Sequence, residues 1–424
     1  MSQPQTDIFE RRESVVRSYC RNFPVVFTKA QGSILTDADG REYVDFLGGC
    51  SSLNYGHNDP DMKAALIEHL SRDGLGHALD LYSDAKAQFL EAFEEIILKP
   101  RGMDYRVMMT GPTGTNAVEA AVKLARKVTG RTNVIAFTNG FHGMTLGALA
   151  CTGNLGKRAA GGPLSGVSRM PYEGAFGEDV DTLKQIEMML DNPSSGIDAP
   201  AAFIFEPVQG EGGLNAASKE WMQGIARLAK KHGALLIVDD IQSGCGRTGT
   251  YFSFEGMGIE PDLITQAKSF SGMGLPMAAL LVKPEHDIWK PAEHNGTFRG
   301  NTHAFVTARV ALEKFWKDDS FQKEVQAKGQ RLKARLEEIA SLVPGARLKG
   351  RGMMRGIDVG SGERADAVCA ACFKKGLIIE TSGAHDEVVK FLGPLTTPDD
   401  VLERGLDILE AAVRETGQYH QAAE

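Results

Sequence analysis

The sequence predicts an α/β protein whose large domain is a mainly parallel sheet with helices on both faces. Two observations predict it. Short, continuously apolar runs recur at 105–109, 133–137, 202–205, 235–238, 263–265 and 279–282, the pattern of strands buried on both faces. Helical stretches separate several of these runs, and many of the 48 glycines cluster where the runs end, as strand–helix connections require. Ligands on such sheets bind outside the carboxyl ends of the strands, so the chemistry is sought there.

Taken in order, residues 1–10 have neither a basic start nor an apolar stretch, unlike a secretory signal. Asp37-Ala38-Asp39-Gly40 reads as a hairpin turn leading into a strand at 41–46. Asp59 and Pro60 supply the cap and first residue of a helix reaching 69. Thr115 or Asn116 caps a helix to 128, with Ala117, Ala120, Ala121, Leu124 and Val128 on one face. A helix at 219–232 is closed by Gly233. Beyond 304 the pattern gives helices at 306–316 and 321–342, a strand at 353–359, a helix at 365–375, a strand at 388–392 and a last helix at 398–415. This is a second α/β region.

A chain of 424 residues with 47 basic and 55 acidic side chains, net −8, has no basic block for nucleic acid or an anionic membrane. No run approaches the ~18 apolar residues of a membrane-spanning helix. Cys20, Cys50, Cys151, Cys245, Cys369 and Cys372 are too scattered for a disulfide framework, which points to the cytoplasm. Cys369 and Cys372 have CxxC spacing but share a helical pattern with Ala365, Val368 and Phe373 and have no second pair, so they read as core.

Lys268 follows the apolar run at 263–265 and precedes Ser269-Phe270-Ser271-Gly272, about thirty residues after Asp239. A desolvated lysine amine is what forms a Schiff base with an aldehyde cofactor. Asp239 ends Leu235-Leu236-Ile237-Val238, where a carboxylate is costly unless it meets a cation. The protonated ring nitrogen of pyridoxal 5′-phosphate (PLP) is such a cation; alone, a capping or salt-bridging aspartate reads equally well. Thr110-Gly111-Pro112-Thr113-Gly114-Thr115-Asn116 is a strand–helix turn of the kind that binds phosphate, although a tight turn also needs glycine for geometry alone. In Asn139-Gly140-Phe141-His142-Gly143-Met144-Thr145 the aromatic suits either ring stacking or the core, and the role of His142 stays open.

Together with Leu53-Asn54-Tyr55-Gly56-His57, Phe205-Glu206-Pro207-Val208-Gln209-Gly210-Glu211-Gly212-Gly213 and Val238-Asp239-Asp240-Ile241-Gln242-Ser243-Gly244-Cys245-Gly246-Arg247-Thr248-Gly249, these segments resemble the class III aminotransferases over nearly the whole chain. The resemblance implies a fold-type-I PLP-dependent transferase, with residues 1–55 contributing to a small domain, 56–303 forming the large PLP-binding domain and 304–424 the C-terminal small domain. It implies Lys268 as the Schiff-base lysine, Asp239 on the pyridinium nitrogen, Gln242 on the ring hydroxyl, Phe141 stacked on the ring beside His142, and Gly114 with Thr115 on the phosphate. Thr297, in Gly296-Thr297-Phe298-Arg299-Gly300-Asn301, would reach the cofactor phosphate of a neighbouring subunit, which implies a homodimer or larger homo-oligomer with shared sites. Glu206 and Glu211 match glutamates near the substrate, and Arg247 fixes its loop. Cys50, Ser51 and Ser52 stand where relatives place pocket residues.

Two departures concern the carboxylate grip. Met144 and Lys390 stand where family members acting on ω-amino groups often carry arginine, and lysine attracts a carboxylate only as a point charge. These departures, with the runs 21–27, 110–116 and 138–145, resemble one branch of the family. There the amino group of L-glutamate passes to L-aspartate 4-semialdehyde, giving L-2,4-diaminobutyrate and 2-oxoglutarate for ectoine biosynthesis. Family members acting on 4-aminobutyrate, ornithine or acetylornithine, and PLP aminomutases, are the alternatives. A nucleotide-binding α/β protein would need GxGxxG or GxxxxGK[ST] at the Gly111 turn, which is absent. A non-catalytic scaffold would have no use for Lys268, Asp239 and Gln242 together.

Overall fold

A computed structural model describes residues 6–421, with side chains through 417; of the amino-terminal stretch read above, residues 1–5 lie outside the described residues. The central sheet has seven strands in the spatial order Arg106–Met109, Ala279–Val282, Leu263–Gln266, Leu235–Asp239, Pro200–Phe205, Asn133–Phe137, Val167–Met170. All pairings are parallel except those of Ala279–Val282, which runs against both neighbours.

Alternation along the strands explains why their sequences are apolar throughout. Ile135, Phe203, Leu236, Ile264 and Leu281 face one core, while Val134, Ala202, Leu235, Leu263 and Leu280 face the other. Each large apolar side chain so buried contributes about 1.5–3 kcal/mol. Helix Gly114–Thr129 covers the second face with Ala117, Val118, Ala121 and Leu124. Its N-cap is Thr113, not Thr115 or Asn116: the Thr113 N–H and hydroxyl both donate to Asn116 Oδ1, at 3.2 and 2.8 Å. Asparagine three residues after the cap serves the turn better as the reciprocal acceptor than as the cap itself.

Strand order reverses beside Asn133–Phe137. The chain steps from it to Val167–Met170 at the edge, then crosses back to Pro200–Phe205 on its other side and continues away through Leu235–Asp239 and Leu263–Gln266. Such a reversal opens a crevice at the carboxyl ends of the flanking strands.

Two smaller sheets accompany the central one. Phe27–Gln31, Ile34–Asp37 and Glu42–Asp45 form an antiparallel set, and Leu377–Ile378 joins it in parallel. Asp37 fixes the turn by accepting from the N–H groups of Asp39 and Arg41 at 3.0 and 2.9 Å. The other sheet is Arg347–Arg351, Met354–Asp358, Val388–Phe391, Glu380–Ser382. Val167–Met170 and Arg347–Arg351 escape the apolar pattern because they are edge strands with polar residues. Helix Thr302–Ala311 starts before 306 and ends in a wide turn through Trp316. Helices Pro60–Ser71, Lys219–Lys231, Ser320–Ala340, Gly362–Lys375 and Asp399–Gln421 match the periodic stretches. Cys369 and Cys372 pack against the core. No described helix is long and apolar enough to cross a membrane.

Arg247 joins these parts. Fully buried, it donates to Ser51 Oγ (3.0 Å), Asn54 Oδ1 (2.6 Å), Gly393 O (2.8 Å) and Met353 O (3.3 Å). Ser51 is thereby turned inward. Its backbone needs holding: Gly48, Gly49, Cys50 and Ser51 all have left-handed φ, between 53° and 71°, which for non-glycine residues costs about 1–3 kcal/mol each. Arg247→Ala removes one donor from each of four buried acceptors, of which Asn54 Oδ1 keeps the Ser51 hydroxyl; each acceptor left unpaired costs about 1–3 kcal/mol. Urea unfolding is expected to show a loss of at least about 3 kcal/mol in the variant.

Candidate active site

Five connections converge on the crevice at the strand reversal. Its cavity is lined by Gly114 and Thr115 after the first strand, Phe141 to Gly143 after Asn133–Phe137, Glu206 and Glu211 after Pro200–Phe205, Asp239 to Gln242, and Lys268 after Leu263–Gln266. Ten of the twelve site residues read from the sequence are thus gathered at or beside one cavity through the lining and through Lys390. Cys50 approaches by its carbonyl, which accepts from Gln242 Nε2 at 3.3 Å. Thr297 lies elsewhere, exposed at the start of the short helix Thr297–Gly300.

Asp239 is buried, and its two oxygens are fixed separately. Oδ2 meets His142 Nδ1 at 2.6 Å; Oδ1 accepts from the Thr265 hydroxyl at 2.9 Å and the Ile241 N–H at 3.3 Å. The role left open for His142 is therefore to orient the carboxylate. Burial works against a charged His142, but the hydrogen bond and charge of Asp239 outweigh it and raise the imidazole above its ordinary value of 6.5.

Lys268 holds φ at 52° and opens the turn Lys268–Ser271. Among the described residues, no hydrogen bond or ion pair engages its amine. Phe141 donates its N–H to Glu206 Oε1 at 2.8 Å, and Gly210 donates to Oε2 at 3.1 Å. Burial raises Glu206 to about 7, with His142 opposing and Asp239 adding to the rise.

The far wall is charged. Lys390 is fully buried, with its ammonium 2.9 Å from Glu211 Oε1 and 3.1 Å from Glu380 Oε1. Burial alone would lower it, but the two carboxylates raise it. Glu211 moves the other way: burial disfavours its charge, yet Lys390 holds it down at about 2. Met144, by contrast, is exposed. Cys50 Sγ lies 3.0 Å from the Tyr19 hydroxyl, and burial followed by Glu380 raises its thiol to about 11.

Sequence reading missed Thr265, Lys157, Tyr19 and Glu380. Glu380 had a usable signal, since it ends Leu377-Ile378-Ile379 as Asp239 ends its own apolar run. Lys157, 4.6 Å above the Phe141 ring, had none.

The pattern of the family described as "Aminotransferase class-III" matches residues 16–413. The chain belongs to the class-III aminotransferases. Curated relatives named diaminobutyrate–2-oxoglutarate transaminase include one from Halomonas elongata, 54% identical over 97% of this chain and 99% of its own. Another, from Vibrio parahaemolyticus, is 55% identical over 98% and 99%. Among solved structures, ornithine aminotransferase from Toxoplasma gondii ME49 superposes with a TM-score of 0.84 at 26% identity, covering 97% of this chain and 95% of that one. The architecture is that of fold-type-I PLP-dependent transferases.

As a class-III aminotransferase the protein is a PLP enzyme, and the cavity fits that group. No described residue accepts from the N–H groups of Gly114 and Thr115 at the head of their helix, which suits a phosphate. Glycine leaves room there, since a Cβ on Gly114 would sit 2.9 Å from Ile241 Cδ1 and push that side chain aside. Gln242 Oε1 is buried without a hydrogen-bond partner. The aminotransferase also offers an unengaged lysine amine opposite an oriented carboxylate.

In the cofactor-free aminotransferase, histidine NMR titration is expected to place His142 above 6.5, and Asp239→Asn to lower it, burial then being opposed only by the charge of Glu206. The His142–Asp239 pair accordingly stabilises the fold fully below the unfolded-state value, and that contribution is lost as pH rises through the native one.

Proposed function

We propose that this aminotransferase transfers the amino group of L-glutamate to L-aspartate 4-semialdehyde, giving L-2,4-diaminobutyrate and 2-oxoglutarate in ectoine biosynthesis. The observation that carries the chemistry is Lys268 and the His142-oriented Asp239 in one cavity. The observation that favours this substrate is that relatives at 52–55% identity, over at least 96% of the chain, bear the diaminobutyrate name.

When bound, PLP supplies an aldehyde carbon that takes up the amine and a conjugated pyridinium that stabilises the electron pair left by the departing C–H proton. The chain's own residues do the rest. The N–H groups of Gly114 and Thr115 hold the phosphate. Asp239, fixed by His142 and Thr265, keeps the proton on the ring nitrogen. Gln242 would bond the ring hydroxyl, and Phe141 would lie against the ring. Lys268 Nζ would hold the cofactor's aldehyde group and, as a free amine, would carry the proton as general base and acid. Glu206, Glu211, Cys50 and Lys390 border the substrate side, where Lys390 meets a carboxylate as a point charge. Working in the cytoplasm suits the six free cysteines.

The enzyme is further proposed to act as a homodimer with shared sites, Thr297 reaching the partner's cofactor phosphate. Segments 77–82 and 297–301 are tied together by the His77–Asn301 bridge and the Arg299–Asp80 ion pair. Leu79, Leu81, Tyr82 and Phe298 project from them exposed, an apolar surface that a second copy would cover.

Reduction of the holoenzyme with borohydride, followed by peptide mapping, is expected to find the cofactor on Lys268. Lys268→Ala is expected to lose both the label and turnover, with glutamate and aspartate 4-semialdehyde as the assay pair; undiminished activity would refute the assignment. Preference for succinate semialdehyde or glutamate semialdehyde as acceptor would refute the substrate. Sedimentation of the wild type is expected to show a dimer, and Leu81→Glu with Tyr82→Glu a monomer of greatly reduced activity.

A further inference from the structure

Lys390 and Glu380 are direct partners across the antiparallel strands Val388–Phe391 and Glu380–Ser382, so their side chains share one face. Glu211 already supplies Lys390 with a hydrogen-bonded counter-ion at 2.9 Å. Glu380 is thus a second carboxylate on a single ammonium. Its Oε1 is ion-paired with Lys390 Nζ at 3.1 Å, and among the described residues no other donor reaches it, in a side chain only 8% exposed. Burial and the neighbouring Glu211 raise Glu380, and Lys390 offsets this only in part. The charge of Glu380 reaches Cys50 and Tyr19 and is itself influenced by Lys268. On this charged wall two carboxylates thus share the one ammonium of Lys390, and among the described residues Glu380 has no donor besides it.

The two amines of the proposed reaction, the donor glutamate and the product diaminobutyrate, differ in what they bring to that wall. Glutamate has one ammonium, which is the reacting group, and two carboxylates. Diaminobutyrate reacts at its C4 amine and keeps an ammonium beside a carboxylate at C2. We propose that Glu380 is a specificity-determining residue whose carboxylate receives the non-reacting C2 ammonium of diaminobutyrate. Lys390 stands next to it for the adjoining carboxylate, so the cross-strand pair matches a zwitterionic head group. The inference rests on the diaminobutyrate reading above and adds the residue that selects for it.

4-Aminobutyrate is diaminobutyrate without the C2 ammonium, which makes it the matching probe. Single-turnover half-reactions of the holoenzyme with L-2,4-diaminobutyrate, 4-aminobutyrate and L-glutamate are expected to show kcat/KM at least about tenfold higher for diaminobutyrate than for 4-aminobutyrate in the wild type. Glu380→Gln is expected to collapse that ratio by about tenfold or more, the loss of one charge-assisted hydrogen bond. Equal use of the two compounds by the wild type, which needs no variant to fold, would overturn the inference. So would a Glu380→Gln enzyme slowed to the same degree with all three amines. Reaction of the wild type with glutamate but not with diaminobutyrate would instead overturn the substrate reading itself.

Discussion

A carboxylate at the end of a strand buried on both faces has to be compensated, and the site is organised around how this chain does it for Asp239. One oxygen takes the His142 imidazole and the other takes Thr265 and the Ile241 N–H. Those groups come from three different strand ends or the turns that follow them, so fixing the carboxylate also fixes the relative placement of the connections carrying Phe141, Gln242 and Lys268. The cost of burying one polar group becomes the means of positioning several.

Much of this was legible because buried parallel strands have no solvent face. Unbroken apolar runs gave the parallel strand at 133–137 and the antiparallel one at 279–282, buried on both faces, to the residue, and polar residues closing other runs, Asp239 above all, marked the site. Edge strands such as Val167–Met170 carry no such pattern, and a two-residue strand such as Leu377–Ile378 is too short to have one. The helix cap at Thr113 was misplaced because several capping residues stand together in 113–116 and only the hydrogen bonds distinguish them. Lys157 was illegible for another reason: its contact with Phe141 depends on how a five-residue helix is placed.

The sequence reading treated Lys390 as a poor substitute for arginine. In the structure it is the hub of a buried ion network, closed in by Glu211 and Glu380. Lysine suits that position: a compact ammonium can be contacted by two carboxylates from different directions, whereas a guanidinium fork would favour one of them in a bidentate pair. The departure from arginine thus leaves one buried ammonium held between two carboxylates.

The reversed strand Ala279–Val282 has a mechanical consequence. Because it runs against Leu263–Gln266, the segment carrying Lys268 leaves the sheet and returns to it at the same edge, and Ala278 O is held there by the Thr110 N–H at 3.1 Å. Both ends of that segment are anchored in strands of the central sheet, so the sheet sets where the Lys268 backbone sits, and the reach of its amine is set by rotation about the side-chain bonds.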